Sequence, residues 1–408
     1  MRKSILGLIL GVLIVLYGCQ ADSETSVNPA VEGTQTTLAT ENSSTTDEAI
    51  QHEKEQEPYE PGWYKGDLHA HSLYSDGDSP LCDVLDIAEG KGFDYFVLTD
   101  HNTAEPWLDS LYHSDKMTLL YGVEWTSENG HANIWSDRPY DWDAMEKTLG
   151  NAKDAIALAH SMAIDGQEIL FSINHPAVLE ALCNGCSWGY SYEDSQDADA
   201  MEVWNARYLL PNLNFNSVNS IYQEWIGKGR KLTMVGGSDS HTHQPGWQTL
   251  YNDVGHPTTW VYAQNRTANG ILKAIKQGRT FISTSPEGPF LEFLADTTYN
   301  PETPQYVDYD VMVGDSIPES SRGKDVFFMT RVKDATVPSG VLVIKNGMPF
   351  KYALNLSSDY CVSFTDKPEK GDYYRVELRQ IAASHPTNPL GELLQGFLAA
   401  ITNPIYAF

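Results

Sequence analysis

The chain has 408 residues, of which 41% are hydrophobic, and a formal net charge of -28. It is too long for one compact core, so the length predicts two domains. The negative charge argues against nucleic acid or an anionic membrane surface as a partner, because the long-range field repels both. Small anionic substrates are not excluded, since metal ions in a cleft reverse the field locally.

The N-terminal segment, residues 1–19, is typical of an export signal. Basic residues precede an apolar run from Ile5 to Tyr17, which is too short for a comfortable membrane span. The run ends in Leu16-Tyr17-Gly18-Cys19, which resembles the lipobox of bacterial lipoproteins. We therefore predict a lipoprotein signal peptide, lipidation of Cys19, and an extracytoplasmic protein anchored to the bacterial membrane. An ordinary secretory signal with an incidental cysteine is the alternative.

Residues 20–60 show no hydrophobic periodicity, and they contain ten acidic residues against one lysine. A segment of this composition does not bury enough apolar surface to offset the entropy of folding. It predicts a disordered acidic tether between the anchor and the folded protein.

Four cysteines follow Cys19: Cys82, Cys183, Cys186 and Cys361. An extracytoplasmic location permits disulfides. The pair Cys183 and Cys186 is compatible with a small disulfide loop, half of a zinc site or a redox pair. Without a second pair or a thioredoxin-like context, a disulfide or free thiols are favoured over chemistry.

The stretch Asp67-Leu68-His69-Ala70-His71 alternates polar and apolar residues. The alternation predicts a strand with Asp67, His69 and His71 on one face. The following Ser-Asp-Gly is a turn that carries Asp76 to the strand's end. Two adjacent imidazoles make a poor core and a good chelate, although a solvent-facing histidine pair is the alternative.

Further apolar stretches predict strands that end in polar residues, and they alternate with stretches of helical spacing. The strand stretches are Asp94–Asn102, Met117–Glu124, Ile169–Pro176 and Leu232–His241, and helical spacing is found at Ser79–Gly90. Continuous apolar strands alternating with helices indicate an α/β fold with a parallel sheet covered by helices. The polar residues stand at the carboxyl ends of the strands, where barrel enzymes keep their active sites.

The pattern changes near residue 290, after a helical stretch at Ala268–Gly278 and a strand at Phe281–Ser285. Short strands are then predicted at Asp325–Lys333, Gly340–Lys345, Lys351–Leu356 and Asp372–Leu378, with Asn346-Gly347 as a turn. We predict a barrel domain over residues 61–289 and a small C-terminal β-sandwich-like domain over residues 290–408. The second domain is expected to be structural, with substrate shaping as the alternative.

The strand ends collect imidazoles and carboxylates. The collected residues are His69, His71, Asp76, His101, Glu124, His175, Asp239 and His241, with His131 in the stretch Gly130–Ile134. A donor set without thiolate suits zinc, manganese or iron. A lone histidine is more often a core residue, but the same ligand chemistry at five separate strand ends favours a metal site.

These motifs resemble the PHP (polymerase and histidinol phosphatase) superfamily and, within it, the CehA/McbA-like metallohydrolases. The resemblance rests on His69-Ala70-His71, Ser75-Asp76-Gly77, Thr99-Asp100-His101-Asn102, Gly122-Val123-Glu124, Asn174-His175-Pro176 and Ser238-Asp239-Ser240-His241, with Gly278–Ser283 and Ile401–Tyr406 supporting the closer match. It covers the chain from Tyr64 to the C-terminus. It implies a distorted (β/α)7 PHP barrel that holds two or three divalent ions, Zn, Mn or Fe.

The resemblance also implies how the ligands divide among the ions. The sets are His69, His71, Glu124 and Asp239 for the first ion; Glu124, His131 and His175 for the second; and Asp76, His101 and His241 for the third. Glu124 would bridge the first two ions, because one carboxylate brings two dications close enough to share a hydroxide. His160, on a helical stretch, is the competitor of His131 and is expected to be packed there. Asp67 and Asp100 are expected to orient imidazoles.

We therefore predict a metal-dependent hydrolase, specifically a phosphoesterase that uses a metal-bound hydroxide, with Glu124, His175 and His241 acting in catalysis. Arg207 is the candidate anion clamp for the substrate, and a surface arginine is the alternative. The rival predictions are a hydrolase of carboxyl or carbamate esters and a non-catalytic, metal-containing binding protein at the cell surface. The expected partners are a small-molecule ester and the membrane, through the lipid on Cys19. We expect no nucleic acid and no obligate protein partner.

Overall fold

The computed structural model describes residues 60–408 apart from 165, 179–182, 184, 207–210, 244–252, 304–306, 356 and 382–387. The described residues form a mixed α/β structure in which strands outnumber helices. The strands are β1 (Gly62–Asp67), β2 (Tyr95–Leu98), β3 (Thr118–Ser127), β4 (Gly130–Ser136), β5 (Ile169–Ile173), β6 (Ala200–Asn205), β7 (Thr233–Gly237), β8 (Thr258–Ala263), β9 (Thr280–Ser283), β10 (Phe290–Asp296), β11 (Val311–Met312), β12 (Val326–Lys333), β13 (Ser339–Lys345), β14 (Met348–Asn355), β15 (Tyr360–Asp366), β16 (Tyr373–Gln380), β17 (Phe397–Thr402) and β18 (Ile405–Tyr406). The α-helices are α1 (Leu81–Gly90), α2 (Trp142–Glu146), α3 (Ala152–Met162), α4 (Tyr192–Ser195), α5 (Pro211–Ile226), α6 (Ala268–Lys276) and α7 (Pro389–Gln395).

A sheet of fourteen strands carries the predicted ligands. Its order is β14-β13-β16-β17-β9-β8-β1-β2-β3-β4-β5-β6-β7, with β18 paired to β16 beside this path. Strands β1, β2 and β3 pair in parallel, and so do β5, β6 and β7. A single parallel bridge between Ala70 and Ser240 joins the chain just beyond β1 to the chain just beyond β7. The carboxyl ends of the parallel strands therefore meet on one side of the sheet.

Strand β4 interrupts the alternation of strand and helix that the sequence predicts. It forms an antiparallel hairpin with β3, in which Ser127 pairs with Gly130, and it also pairs antiparallel with β5. Gly130 has a φ of 125°, a conformation that is nearly restricted to glycine and that permits the tight turn. The sequence did not predict this additional strand, although helices α2 and α3 do precede β5, and the (β/α)7 barrel stays a prediction.

The helices that cover the sheet follow the spacing of their apolar residues. In α6 the Thr267 side chain accepts a hydrogen bond from the Gly270 amide and caps the N-terminus. Four apolar residues within three turns are buried against the sheet, and the helix ends before Gly278, whose φ is 76°. Each described helix is too short or too polar to reach across a lipid bilayer.

Most predicted elements are confirmed within two or three residues of their ends, but the first strand is shorter than predicted. It ends at Asp67 rather than continuing through His71, which lies in the loop that follows. Strands β6 and β8 and helix α5 are among the elements that were not predicted from the sequence. Helix α3 confirms the helical stretch that contains His160.

The strands after residue 290 form two layers. Strands β10, β11, β12 and β15 form a separate antiparallel sheet. Its apolar side chains share a core with those of β13, β16 and β17 from the large sheet, including Phe293, Phe328, Val341 and Val376. Because β17 also pairs with β9, one of the two layers continues the sheet that carries the ligands. The domain boundary at residues 289 and 290 stays a prediction.

Candidate metal centre

The first group of predicted ligands surrounds one oxygen of Glu124 and one oxygen of Asp239. Glu124 Oε2 lies 3.2 Å from His69 Nε2 and 3.3 Å from His71 Nε2. Asp239 Oδ1 lies 3.3 Å and 3.1 Å from the same two nitrogens. The four side chains come from the loop after β1, from β3 and from the loop after β7. They form one of three groups in the described chain whose donor atoms lie close enough together to hold a metal ion.

The other oxygen of Glu124 faces the second set. Glu124 Oε1 lies 3.2 Å from His131 Nδ1 and 3.4 Å from His175 Nε2. His131 reaches this position because the β3–β4 hairpin sets it opposite Thr126, two residues beyond Glu124. The two oxygens of one buried carboxylate thus face two different groups of imidazoles.

The third set lies around Asp76 at the opening of the cluster. Asp76 Oδ1 is 3.2 Å from His241 Nε2, 3.5 Å from His101 Nε2 and 3.9 Å from His71 Nδ1. His101 does not belong to this set alone, because its Nδ1 lies 3.0 Å from Glu124 Oε2. The imidazole of His101 therefore stands between the first and the third of the predicted ligand sets.

The cluster has a closed end and an open end. The side chains of His69, His71 and Glu124 are fully buried. Those of Asp76 and His241 are 58% and 28% exposed. A small molecule would therefore approach the cluster from the side of Asp76 and His241.

Several buried donor and acceptor atoms in the cluster have no hydrogen-bond partner among the described residues. They are His69 Nε2, His71 Nδ1, His175 Nδ1 and Glu124 Oε2. Leaving such atoms without a partner is costly, so a native site normally supplies one. Two ligands that each lie about 2.1 Å from a shared tetrahedral ion are about 3.4 Å apart. The nitrogen-to-oxygen separations in the first two sets are close to this edge length, so the residues present fit divalent metal ions.

The carboxylates of the cluster are ionised because imidazoles surround them. Burial raises the pKa of the Glu124 carboxyl, but the positive charges of His101 and His69 outweigh it and hold that pKa well below its usual value. Burial raises the pKa of the Asp76 carboxyl as well. The hydrogen bond from His241 and the charge of that ring lower it by more, to about 2. These carboxylates are available as ligands at neutral pH.

The pKa values of the imidazoles in the cluster are shifted in different directions. Burial lowers the pKa of His69, but the charges of Asp239 and Glu124 raise it well above its usual value. The hydrogen bond to Asp76 and the charge of Asp239 overcome burial and raise the pKa of His241 to about 9. Burial and the nearby His241 lower the pKa of His71 to about 4. Protons on some imidazoles thus balance the carboxylates, and a bound dication would replace that charge.

Two of the predicted ligands have a left-handed backbone. His175 has a φ of 26° and Asp239 a φ of 51°. Residues other than glycine adopt positive φ at a cost, and such residues cluster at functional sites. The Glu202 carboxylate accepts a hydrogen bond from the His175 amide at 3.0 Å, which fixes the turn after β5.

Glu202 is the residue that sequence reasoning missed. Its Oε1 lies 3.0 Å from His69 Nδ1, and its Oε2 accepts hydrogen bonds from His175 N and from Asn205 Nδ2 at 2.9 Å. The contact favours a proton on His69 Nδ1, so that Nε2 presents its lone pair to the cluster. A methyl group on Gly237 would contact the Glu202 carboxylate and come 2.5 Å from His69 Cβ, so this pair requires glycine in β7.

Removing the Glu202 carboxylate should weaken metal binding about 10- to 100-fold, because His69 loses the partner that fixes its ring. The matched variants are Glu202→Ala and Glu202→Gln, and the glutamine should lose less because its oxygen still accepts from Nδ1. Competition with a chromophoric chelator measures the affinity, and melting of the metal-free protein measures stability. A drop in melting temperature at unchanged affinity would show that Glu202 only supports packing.

Asp67 and Asp100 have a different role from the predicted one. Asp67 accepts hydrogen bonds from the amides of Ser238 at 3.0 Å and Gly255 at 2.7 Å. Asp100 accepts from the amide and hydroxyl of Ser72, both at 2.8 Å. The prediction that they orient imidazoles is wrong, because these carboxylates hold the backbone of the ligand-bearing loops. The imidazole of His101 instead contacts the Thr126 hydroxyl at 2.6 Å.

Other residues singled out in the sequence lie outside the cluster or outside the described residues. His160 Nε2 is 2.8 Å from Asp199 Oδ2, just before β6, at the opposite ends of the parallel strands. It is therefore not the alternative to His131. Cys183 and Cys186 form a disulfide, whereas Cys82 and Cys361 are free and exposed. Arg207 and Cys19 lie outside the described residues, so their predicted roles stay predictions.

No family model and no curated protein matches the chain. Among solved structures, it is similar to a two-domain protein from Bacteroides vulgatus described as containing a predicted PHP-like metal-dependent phosphoesterase, with 17% identity and a TM-score of 0.41 over 85% of this chain and 97% of that one. A protein from Bifidobacterium adolescentis, provisionally described as a metal-dependent phosphoesterase, is 17% identical with a TM-score of 0.29 over 51% of this chain and 94% of its own. An amidohydrolase from Chromobacterium violaceum, with bound sulfate and no metal, is 16% identical with a TM-score of 0.31 over 47% of this chain and 89% of its own. At such scores these likenesses assign neither an activity nor a substrate to the chain.

Proposed function

We propose that the protein is a metal-dependent hydrolase, specifically a phosphoesterase, with two or three divalent ions (Zn, Mn or Fe) in the cluster. The observation that carries the proposal is the position of Glu124. Its two oxygens face separate groups of imidazoles: Oε2 lies 3.2, 3.3 and 3.0 Å from His69, His71 and His101, and Oε1 lies 3.2 and 3.4 Å from His131 and His175. This arrangement suits neighbouring ions that share a carboxylate.

Divalent ions held there would lower the pKa of a bound water, so that it attacks the ester, and would balance charge on the substrate oxygens. The chain's own residues prepare the site. Glu202 fixes the ring of His69, Thr126 contacts the ring of His101, and Asn174 donates a hydrogen bond to Glu124 Oε1 at 2.9 Å. These contacts hold the donor atoms in place before substrate arrives.

A phosphoester fits a cluster with several cation positions better than a carboxyl ester does. A phosphoryl group presents several charged oxygens, whereas an ester carbonyl presents one. The exposed side of the cluster, at Asp76 and His241, leaves room for such a group. In the strongly acidic protein, bound cations would also attract an anionic substrate locally.

The test is hydrolysis by metal-stripped protein before and after addition of Mn²⁺ or Zn²⁺, on a phosphomonoester, a phosphodiester and a carboxyl ester. We expect activity only after metal is added and the highest kcat/KM on a phosphoester. Faster cleavage of the carboxyl ester would replace the proposal by an esterase. Metal binding without turnover on any of them would favour a binding protein.

We further propose that the enzyme is extracytoplasmic and carried on the bacterial membrane by a lipid on Cys19, with the acidic segment 20–60 as its tether. The support is the sequence Leu16-Tyr17-Gly18-Cys19 after a short apolar run. Replacing Cys19 by Ala should release the protein from the membrane fraction or block its maturation. Cys82→Ala, which removes an exposed thiol in the folded part, should leave the protein anchored. Tight membrane binding of the Cys19→Ala protein in fractionated cells would contradict the anchor.

A further inference from the structure

We propose that an apolar pocket beside the open end of the cluster binds the organic group of the ester, and that this group is uncharged and about the size of a phenyl ring. This inference rests on the proposed function and names the substrate class within it. The pocket has a volume of about 190 Å³. Its lining includes Leu73, Tyr74, Leu81, Cys82, Asp109 and Leu111.

The pocket is built by the same two loops that carry ligands to the open end. Leu73 and Tyr74 lie between His71 and Asp76 in the loop after β1. Asp109 and Leu111 belong to the segment that follows His101 after β2. Leu73 and Tyr74 precede Asp76 by three and two residues, so the backbone of this wall lies within about 11 Å of Asp76. A substrate whose phosphoryl group reaches Asp76 can therefore extend its remaining part to the pocket.

The two loops are held together before any ligand binds. The Tyr74 hydroxyl donates a hydrogen bond to Asp109 Oδ2 at 2.6 Å. The Ser75 hydroxyl donates to Asp100 Oδ1 at 2.7 Å, which fixes the turn next to Asp76. Preformed walls lower the entropy that binding must overcome.

The residues that line the pocket disfavour binding of a charged organic group. Among the described residues that line it, Asp109 is the one charged residue, and both of its oxygens are used, Oδ2 by Tyr74 and Oδ1 by the Leu111 amide at 2.9 Å. None of the lining residues in the described part of the chain is a lysine or arginine that would bind a second anionic group. A cavity of about 150 Å³ with apolar walls accommodates benzene, so the pocket is large enough for a phenyl ring.

Exposed apolar side chains concentrate at the same place. Leu73 is 61% exposed and Leu111 56% exposed, and Leu108 of the second loop is 87% exposed. Single exposed leucines need no explanation, but a group of them next to a polar cluster indicates a binding surface. Burying them under the apolar part of a substrate would recover hydrophobic free energy.

Cys82 provides a direct probe, because it is an exposed free thiol in the lining, and Cys361 is an exposed free thiol in the second sheet. The full chain, loaded with Mn²⁺, is pulsed with a maleimide in the presence of benzylphosphonate or methylphosphonate, and the labelled peptides are quantified. We expect benzylphosphonate to slow labelling of Cys82 at least threefold at concentrations where methylphosphonate does not, with Cys361 unaffected. Equal labelling of Cys82 with the two phosphonates would overturn the proposal.

A variant gives a second readout. Leu73→Asp should lower kcat/KM for benzyl phosphate relative to methyl phosphate on the order of tenfold, because a charged wall no longer accommodates the ring. The ratio of variant to parent cancels the intrinsic reactivity of each leaving group. Leu149→Asp, at an exposed leucine outside the two loops, should leave the ratio unchanged. An unchanged ratio in Leu73→Asp would also count against the pocket.

The outcomes separate this inference from the proposed function. Selective protection of Cys82 without hydrolysis of any ester would keep the pocket and refute the hydrolase. Hydrolysis without selective protection would keep the hydrolase and refute the pocket. Protection of Cys82 that follows protein concentration or added lipid vesicles, and not benzylphosphonate, would show a second copy or a lipid surface on the patch and overturn the substrate proposal.

Discussion

Replacing Glu124 by Gln should remove more than one metal ion per chain and lower turnover at least about 1000-fold. The substitution keeps the shape of the side chain but replaces one carboxylate oxygen by an amide that cannot act as an anionic ligand. Oε2 lies 3.2 Å from His69 Nε2, and Oε1 lies 3.2 Å from His131 Nδ1. Each oxygen therefore faces a predicted ligand set, and replacing either one affects a set. The variant also loses the negative charge of the carboxylate, which offsets the repulsion between two neighbouring dications.

The matched comparison is Asp76→Asn. Asp76 is 58% exposed, and its Oδ1 lies closer to His241 and His101 of the third set, at 3.2 and 3.5 Å, than to His71 of the first, at 3.9 Å, so this variant should lose at most one ion. Glu292→Gln is the control for loss of a partly buried, ion-paired carboxylate elsewhere, because Glu292 pairs with Arg331 at 2.7 Å in the second sheet. It should keep the full metal content.

Metal analysis by mass spectrometry, with thermal melts beside it, distinguishes a ligand from a structural acid. A structural Glu124 would lower the melting temperature and leave the metal count untouched. Metal content in Glu124→Gln equal to that of the parent would refute the bridging role and the shared-ion arrangement with it.

The ligand positions were predictable because they break a pattern. His101, His175 and Asp239 each follow an apolar strand, and the carboxyl ends of such strands are where barrel enzymes keep their active sites. Their order along the chain and the direction of the strands were enough to predict that they meet. The structure brings them together, and their role as ligands stays a prediction.

The contacts inside the cluster were not predictable in the same way. Glu202 lies within strand β6, between apolar neighbours, so its sequence context gives no hint that it faces His69 across the sheet. His101 was assigned to one ion, but its ring has two nitrogens that point to Asp76 and to Glu124. Distances of this kind depend on strand register and loop geometry, which a single sequence does not contain.

The β3–β4 hairpin was likewise not predictable from the sequence. The alternating pattern around His131 is short, and nothing in it says that β4 pairs antiparallel with both β3 and β5. Only that pairing brings His131 beside Glu124.

The apolar pocket was not predictable either, because it forms where two loops meet. Tyr74 and Asp109 are far apart in the sequence and are joined by one hydrogen bond.

Replacing His175 by Ala should lower kcat at least about 100-fold while the fold is retained, because the imidazole belongs to the cluster and not to the core. His175 Nε2 lies 3.4 Å from Glu124 Oε1, and its Nδ1 is buried with no hydrogen-bond partner in the described part of the chain. Its ring stacks on that of His69, with centroids 5.8 Å apart. The backbone is held independently, by the hydrogen bond from its amide to Glu202, and this bond does not depend on the side chain.

The control is His160→Ala, which makes the same change at a histidine paired with Asp199 away from the cluster. Its hydrogen bond to Asp199 raises the pKa of His160, so the protonated ring stabilises the fold. That contribution is fully present below the unfolded pKa, about 6.5, and is lost as the pH rises through the higher folded value. His160→Ala should therefore cost some stability, more at low pH, and leave kcat of the metal-loaded enzyme unchanged.

Steady-state kinetics at saturating Mn²⁺, with metal content and circular dichroism of both variants, decide the role of His175. A ligand predicts a large loss of kcat, a lower metal content and an unchanged spectrum. A packing residue predicts the reverse, with reduced stability and normal turnover in the folded fraction. Hydrolysis by His175→Ala at the rate of the parent would remove His175 from the site, and Glu124 Oε1 would then face His131 as its one remaining candidate partner in the second set.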